Sequence, residues 1–134
     1  MMSNYTLTAV DTTGIQQYIF GSNRLQENIG ASELVWRATG EWALEAVRAV
    51  VPQANNVLDA KMLTLKPDAE FQLERQTAPQ AAEVLYAGGG NIVVLFSQHE
   101  LACEFAYQLT RRALQDAPGL ALVVAHRQEF DFAH

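Results

Sequence analysis

Three consecutive glycines between two apolar runs constrain the fold of this chain more than any other feature. The stretch from Leu85 to Phe96 reads LYAGGGNIVVLF. Glycine readily adopts positive φ, which tight hairpin turns require, and its bare backbone also allows a ligand to approach closely. The pattern predicts a hairpin in which Val84 to Ala87 pairs with Ile92 to Phe96, and in which the turn can form part of a binding site.

A second stretch, from Tyr5 to Gln16, has the pattern of a strand that ends at Asp11 and is followed at once by a helix. Apolar residues and threonines alternate before Asp11, as in a half-buried strand. Thr13 and Gln16 have the spacing of a capping box, so a short helix is predicted from Gly14 to about Phe20.

The middle of the chain is predicted to contain one long helix and one ambiguous segment. The helix runs from about Ala31 to Val51, because small and apolar residues recur on one face until Pro52 ends it. Between Asn55 and Ala82 the pattern fits a small hairpin about Pro67, and it also fits a helix near Pro79 to Glu83. Both alternatives stay open.

The last third of the chain is predicted to form a helix and a strand. Ser97 and Glu100 have the spacing of a capping box, and an apolar stripe that includes Phe105 then recurs along one helical face. Gly119 ends the connection, and Leu120 to Ala125 has the pattern of a last buried strand.

The predicted order of elements is one strand, two helices, a β-hairpin, a helix and a strand. This order is typical of an α+β ferredoxin-like palm, a four-stranded antiparallel sheet with helices on one face and the other face available to a partner. In that topology the end of the first strand and the tip of the hairpin lie at the same edge of the sheet. We therefore expect Asp11 and the stretch from Gly88 to Asn91 to face each other across a shallow cleft.

Composition narrows the possible classes of function. The 134 residues are 49% hydrophobic and carry a formal net charge of −6, which suits one globular domain and disfavours independent nucleic-acid binding. A single cysteine, Cys103, excludes an internal disulfide. Because the sequence has no membrane-spanning run and opens with no signal peptide, we expect no membrane association and a cytoplasmic location.

Three short motifs occur in a defined order along the chain. They are the segment from Asp11 to Gln16, the turn from Gly30 to Ser32 that follows Leu25, and the hairpin from Tyr86 to Asn91. Together they resemble the first palm domain of the large polymerase-like subunit of type III CRISPR effector complexes. The resemblance covers residues 3–127 and leaves 128–134 as a tail or as the start of a truncated following segment.

The resemblance implies a function in antiviral defence. The full family protein makes cyclic oligoadenylate from ATP when its complex binds target RNA, and its wider relatives are GGDEF diguanylate cyclases and palm polymerases. The implied ligand is ATP or a related purine nucleotide, with magnesium as a possible ion. The implied partners are a second palm domain or other subunits of the complex, with RNA contacted only indirectly, and a homodimer is possible for the isolated domain.

This sequence departs from the catalytic pattern of those relatives. They hold two divalent metals between a carboxylate on the first strand and acidic residues on the hairpin, whereas here the hairpin has Gly90 and Asn91. Asp11 is left as the one carboxylate of an incomplete metal site. The resemblance, corrected for this departure, predicts a nucleotide-binding but non-catalytic palm.

The binding prediction combines a helix N-terminus with the glycine turn. Backbone amides after Asp11 would bind a phosphate, the glycines would leave room for a base or ribose, and the Asn91 amide would donate and accept hydrogen bonds. Arg24 would reach the triphosphate. The predicted nucleotide-binding residues are Asp11, Thr12, Thr13, Gly14, Arg24, Gly88, Gly89, Gly90 and Asn91.

Plainer interpretations remain for each of these features. Asp11 and the threonines after it fit a simple helix cap, the glycines fit a simple tight hairpin, and Arg24 fits a solvated surface residue. Trp36 falls off the apolar stripe of its helix, which indicates either a docking surface or a single exposed aromatic. The chain as a whole could also be an active cyclase or polymerase-like enzyme completed by a second copy, or a structural module without a ligand.

Overall fold

The computed structural model describes residues 5–13, 33–67 and 70–130, and all the elements named below lie within those ranges. Residues 33–39 are helical, and Leu73–Arg75 forms a 3-10 turn. The strands are β1 (Tyr5–Thr13), β2 (Val57–Asp59), β3 (Thr64–Leu65), β4 (Ala82–Gly88), β5 (Asn91–Phe96) and β6 (Ala121–Phe130), and the longer helices are α1 (Glu41–Val50) and α2 (His99–Asp116).

Four of the strands form one antiparallel sheet in the order β4-β5-β1-β6, and β2 pairs with β3 separately. β1 therefore lies inside the sheet, between two strands that are distant from it in sequence. This arrangement confirms the predicted α+β fold with a four-stranded antiparallel sheet.

The helices cover one face of this sheet. Side chains that alternate along β1 and β5 point to that face, and the Phe96 ring lies 5.4 Å from the Phe105 ring of α2. α1 packs beside α2, where the Arg112 guanidinium lies 4.8 Å from the Trp42 ring and 3.4 Å from the Glu45 carboxylate. The sheet residues buried on this face include Thr6, Thr8, Val10, Ile92, Val94 and Phe96.

The opposite face of the sheet is exposed in the region where β1, β5 and β6 meet. Ala9 pairs with Val93 on one side and with Ala125 on the other, and both alanines are exposed. Val123, the partner of Asp11 on β6, is exposed by 51%. This part of the face is available to a partner, as expected for a palm.

The free edge of β4 is covered by the segment that precedes β2. The Asn56 side chain donates to the Val84 carbonyl at 2.9 Å and accepts from the Val84 amide at 2.7 Å, as a neighbouring strand would. Asn55 forms a parallel bridge with Ala82. A protected edge does not offer unpaired backbone groups to another chain.

The structure corrects the prediction of one unbroken helix from Ala31 to Val51. Residues 33–39 are helical, Gly40 forms a turn, and α1 begins at Glu41. A Cβ at Gly40 would lie 2.9 Å from both the Trp36 carbonyl oxygen and a Leu63 methyl, so the chain bends here where only glycine fits.

The ambiguous segment adopts neither predicted form. β2 and β3 form a hairpin about residues 60–63, so the hairpin predicted about Pro67 was wrong. The helix predicted near Pro79 to Glu83 was also wrong, because β4 begins at Ala82. The predicted helix from Gly14 to Phe20 lies outside the described residues.

The predicted capping box at the start of α2 is absent. Gln98 occupies the N-cap position without a side-chain cap bond. The Ser97 hydroxyl instead donates to the Pro79 carbonyl at 3.0 Å and accepts from the Ala81 amide at 2.8 Å. The Ser97 hydroxyl therefore bonds to residues distant in sequence and does not cap the helix.

The last strand is longer and more exposed than predicted. β6 runs to Phe130, three residues beyond the predicted domain boundary at 127, and that boundary itself stays a prediction. The prediction of a buried strand was wrong, because β6 is an edge strand on which only Leu122 and Val124 are half-buried among the residues with described side chains. Within the described residues, we find no helix with the length and apolarity that a membrane crossing demands.

A histidine pair joins β6 to α2 on the helix-covered face. His126 Nδ1 lies 2.8 Å from the buried Thr8 hydroxyl, and the His126 ring meets the His99 ring edge-on at 5.6 Å. His99 Nε2 in turn lies 3.3 Å from the Cys103 thiol. Partial desolvation lowers the pKa of His126, although its side chain remains largely exposed, and the neighbouring His99 lowers that pKa further.

The lowered pKa of His126 predicts an acid-sensitive stability. With this lower pKa, His126 binds a proton more readily in the unfolded chain than in the folded one. The stability that neutral His126 contributes is therefore fully present above about pH 6.5 and is lost as the pH falls through the folded pKa. We expect His126→Gln to lose less stability than the wild type between about pH 7.5 and about pH 5.5, as measured by urea denaturation. Equal losses in the two proteins would contradict this assignment.

Two leucines of α2 offer a matched test of the packing. Leu109 is fully buried and Leu114 is 74% exposed. We expect Leu109→Ala to lower the free energy of unfolding by about 2–5 kcal/mol, because it leaves a cavity in the core. Leu114→Ala should change it by less than about 0.5 kcal/mol. Chemical denaturation measures both values, and similar losses would show that α2 does not pack on the sheet in this way.

Candidate functional site

The tip of the β4-β5 hairpin is built from three glycines with positive φ. Gly89 and Gly90, the two turn residues, have φ values of 64° and 97°, and Gly88 before them has 124°. Positive φ at both central residues is what a type I′ turn requires, and this turn matches the twist of the strands that it joins. The predicted glycine hairpin is therefore confirmed.

Backbone and side-chain bonds attach this turn to β1. Asp11 is the register partner of Asn91. One residue further on, the Thr12 amide and hydroxyl both donate to the Gly90 carbonyl, at 3.2 Å and 3.3 Å. The structure thus brings together six of the predicted site residues that it describes, namely Asp11, Thr12, Gly88, Gly89, Gly90 and Asn91.

The placement of these residues differs from the prediction in two respects. Asp11 and Asn91 are direct neighbours in the sheet and do not face each other across a cleft. β1 continues through Thr13, which pairs with Ala121, so Thr12 lies within a strand. Pairing with β6 thus extends the strand two residues past its predicted end at Asp11.

The structure therefore leaves fewer backbone amides for a phosphate than predicted. The Thr12 amide already donates to the Gly90 carbonyl and to the Asp11 carboxylate, the latter at 2.8 Å. It is therefore not a free helix N-terminal donor. Gly14 and Arg24 lie outside the described residues, so their roles remain predictions.

Asp11 is exposed and lies between Asn91 and Val123 on the open face of the sheet. No group of three or more His, Cys, Asp or Glu side chains that could hold a metal ion occurs in the part of the chain that the structure describes. One carboxylate with a neighbouring amide could ligate a single hard cation but does not fit a two-metal centre. The role of Asp11 as an incomplete metal site stays a prediction.

Two exposed aromatic side chains flank the glycine turn, and neither was predicted as a site residue. A Cβ added to Gly88 would touch the Trp36 ring at 3.8 Å, and one added to Gly89 would lie 3.4 Å from the Tyr86 hydroxyl oxygen. Trp36 is 52% exposed and Tyr86 is 54% exposed.

Only Trp36 could be singled out from the sequence. Trp36 stood off the apolar stripe of its helix. Tyr86 lies in a stretch with the pattern of a regular strand, so nothing in the sequence distinguished it. In the structure, a bulge at Leu85 shifts the register between Val84 and Tyr86 and pairs Tyr86 with Val93. A β-bulge cannot be inferred from alternation alone.

Comparison with known proteins gives matches among solved structures only. No model of a known protein family matches the sequence, and no curated protein does. A chain of the Csm1-Csm4 cassette in complex with cA3 matches with a TM-score of 0.62 at 14% identity, over 95% of this chain and 16% of that chain. The apo Csm1-Csm4 cassette gives a TM-score of 0.62 at 15% identity, over 96% and 16% of the two chains.

A third match comes from the Csm1-Csm4 subcomplex in the type III-A CRISPR-Csm interference complex. Its TM-score is 0.59 at 15% identity, over 95% of this chain and 16% of that chain. This chain therefore spans about one sixth of the length of the chains that it matches. The predicted resemblance to type III CRISPR proteins is confirmed at the level of the fold: the chain has the fold of one domain-sized region of these Csm1-Csm4 cassette chains.

Proposed function

We propose that this chain is a nucleotide-binding, non-catalytic palm domain that works within a type III CRISPR effector complex. The glycine turn held beside Asp11 and Asn91 carries the proposal, because it combines a bare backbone with polar side chains on an exposed face. Cassettes with matching chains have been solved with AMPPNP, with ATP and with the cyclic products cA3 and cA4, which supports a nucleotide as the ligand.

The chemistry of the turn suits the sugar side of a nucleotide. Without side chains at residues 88–90, a ribose can approach the backbone closely. The Asp11 carboxylate can accept hydrogen bonds from ribose hydroxyls, and the Asn91 amide can both donate and accept. Phosphates would need donors beyond the occupied Thr12 amide, and Gly14 and Arg24 remain the predicted ones.

The same residues argue against catalysis by this domain alone. Transfer of a nucleotidyl group by the two-metal mechanism needs cations about 3.5–4 Å apart, held by several carboxylates. Here the turn carries glycine and asparagine beside a single aspartate. The domain would hold a nucleotide while another domain supplies the metal ligands.

The partner in this proposal is a second palm domain or another subunit of the complex. The matched chains are about six times as long as this one, so most of the assembly lies outside this domain. The exposed face around Ala9, Val123 and Ala125 provides an apolar surface for such a contact. Contact with RNA would be indirect, and the cytoplasmic location stays a prediction.

The first test measures ATP binding and its dependence on the turn. Gly89→Asn keeps the turn, because asparagine followed by glycine is a favoured type I′ pair, but it adds a side chain where the nucleotide would approach. We expect wild-type protein to bind ATP with magnesium in the millimolar range or tighter. The variant should bind about tenfold more weakly or worse, equivalent to about 1.4 kcal/mol. Isothermal titration calorimetry measures both affinities.

Gly119→Asn is the matched control, because Gly119 also has positive φ, 94°, but lies in the connection between α2 and β6. It should bind ATP as the wild type does. The site is misplaced if Gly89→Asn also binds like the wild type. Absence of ATP binding to the wild type at millimolar concentration would reject the nucleotide-binding function.

The second test concerns turnover. Wild-type protein incubated with ATP and magnesium or manganese should give no linear or cyclic oligonucleotide, because one carboxylate cannot hold two metal ions. Chromatography of the reaction resolves the products. Robust turnover that disappears in Asp11→Ala would replace the non-catalytic function with that of an active enzyme completed by a second copy.

A further inference from the structure

Trp36 connects the glycine turn to a separate cavity. Its ring lies beside Gly88, because a Cβ added to that glycine would meet the ring at 3.8 Å. Trp36 also lines a cavity of about 230 Å³, together with Glu33, Arg37, Glu41, Lys61 and Leu63. The half-exposed Trp36 is therefore shared by the surroundings of the turn and by the cavity.

The charges in this cavity balance one another. Glu33 and Glu41 are opposed by Arg37 and Lys61, and the Arg37 guanidinium lies 2.9 Å from the Glu33 carboxylate. A neutral set of charges offers little attraction to a triphosphate, whose several negative charges need an excess of cations. It does offer hydrogen-bond acceptors and donors side by side.

A purine base has the chemistry that this cavity could accommodate. Its flat face stacks on aromatic rings, and the edge of adenine carries both an amine donor and ring-nitrogen acceptors. Carboxylates such as Glu41 can accept from the amine, and a cation such as Lys61 can donate to a ring nitrogen. A phosphate would be repelled by Glu33 and Glu41, and a purely apolar side chain would displace water from charged groups without replacing its hydrogen bonds.

We propose that Trp36 is the stacking platform for the purine base of the bound nucleotide, and that the adjacent cavity binds the polar edge of that base. This inference rests on the proposed nucleotide-binding function and extends it from the ribose side at the glycine turn to the base. The base lies against the indole beside Gly88, and the sugar lies over the turn. The phosphates then point away from the charge-balanced cavity.

The test compares ATP affinity among aromatic variants by calorimetry. Trp36→Ala should bind ATP at least about fivefold more weakly than the wild type, because stacking of a base on an aromatic ring contributes about 1 kcal/mol or more. Trp36→Phe retains an aromatic face and should recover most of the affinity. Tyr107→Ala is the matched control, because Tyr107 is 57% exposed on α2 and its cavity is lined by α2 residues alone; its affinity should equal that of the wild type.

A second measurement tests recognition of the base edge. Inosine triphosphate has a carbonyl where ATP has the amine, so the wild type should bind it more weakly than ATP. Glu41→Gln, which weakens the acceptor, should reduce this difference. Thermal unfolding of each variant checks that the fold is intact, as expected for substitutions at exposed or half-exposed side chains.

The outcomes separate this inference from the proposed function. Suppose that the wild type binds ATP and that Gly89→Asn lowers this affinity but Trp36→Ala does not. The base then lies elsewhere, so the stacking role is rejected while the nucleotide-binding function stands. Equal losses in Trp36→Ala and Trp36→Phe would also reject stacking, as would no preference for ATP over inosine triphosphate. Failure of the wild type to bind ATP rejects both.

Discussion

Insertion of β1 between β5 and β6 is the constraint on which the rest of the structure depends. Both neighbours come from the last third of the sequence, and the bond from the Thr12 hydroxyl to Gly90 spans 78 residues. This pairing buries Thr6 and Thr8 on the helix-covered face and sets Asp11 beside Asn91 on the open one. The glycine turn lies beside Asp11 because Thr12 of β1 binds the Gly90 carbonyl.

The two edge strands of the sheet, β4 and β6, differ in what covers their outer sides, and this difference affects where a partner could bind. The outer edge of β4 is bonded by the Asn56 side chain, which pairs with the backbone of Val84 as a strand would. β6 has β1 on one side and no strand on the other among the described residues, and its side chains are largely exposed. An edge that no described strand covers, beside an exposed apolar face, is a suitable contact surface for a partner on the β6 side of the domain.

The four-stranded sheet and the proximity of Asp11 to the hairpin could be predicted from the sequence. Strand alternation and the glycine turn are local signals, and the tertiary structure preserves them. Prediction from the sequence failed where a distant partner outcompeted a local one. Ser97 bonds to Pro79 and not to the start of α2, and pairing with β6 extends β1 to Thr13, past its predicted end at Asp11. Cap patterns are short and polar, so any nearby strand or carbonyl can use the same groups.

The same reasoning explains why the base side of the candidate site was not foreseen. Trp36 belongs to the helical residues 33–39 and Gly88 to β4, so no short sequence window contains both of these neighbours. If the indole and the glycines fix the base and sugar, the domain orients a nucleotide without contributing the charge that reaction of its phosphates requires. Under the proposed function, Asp11 would then be sufficient for this domain, and a partner would supply the charge that catalysis requires.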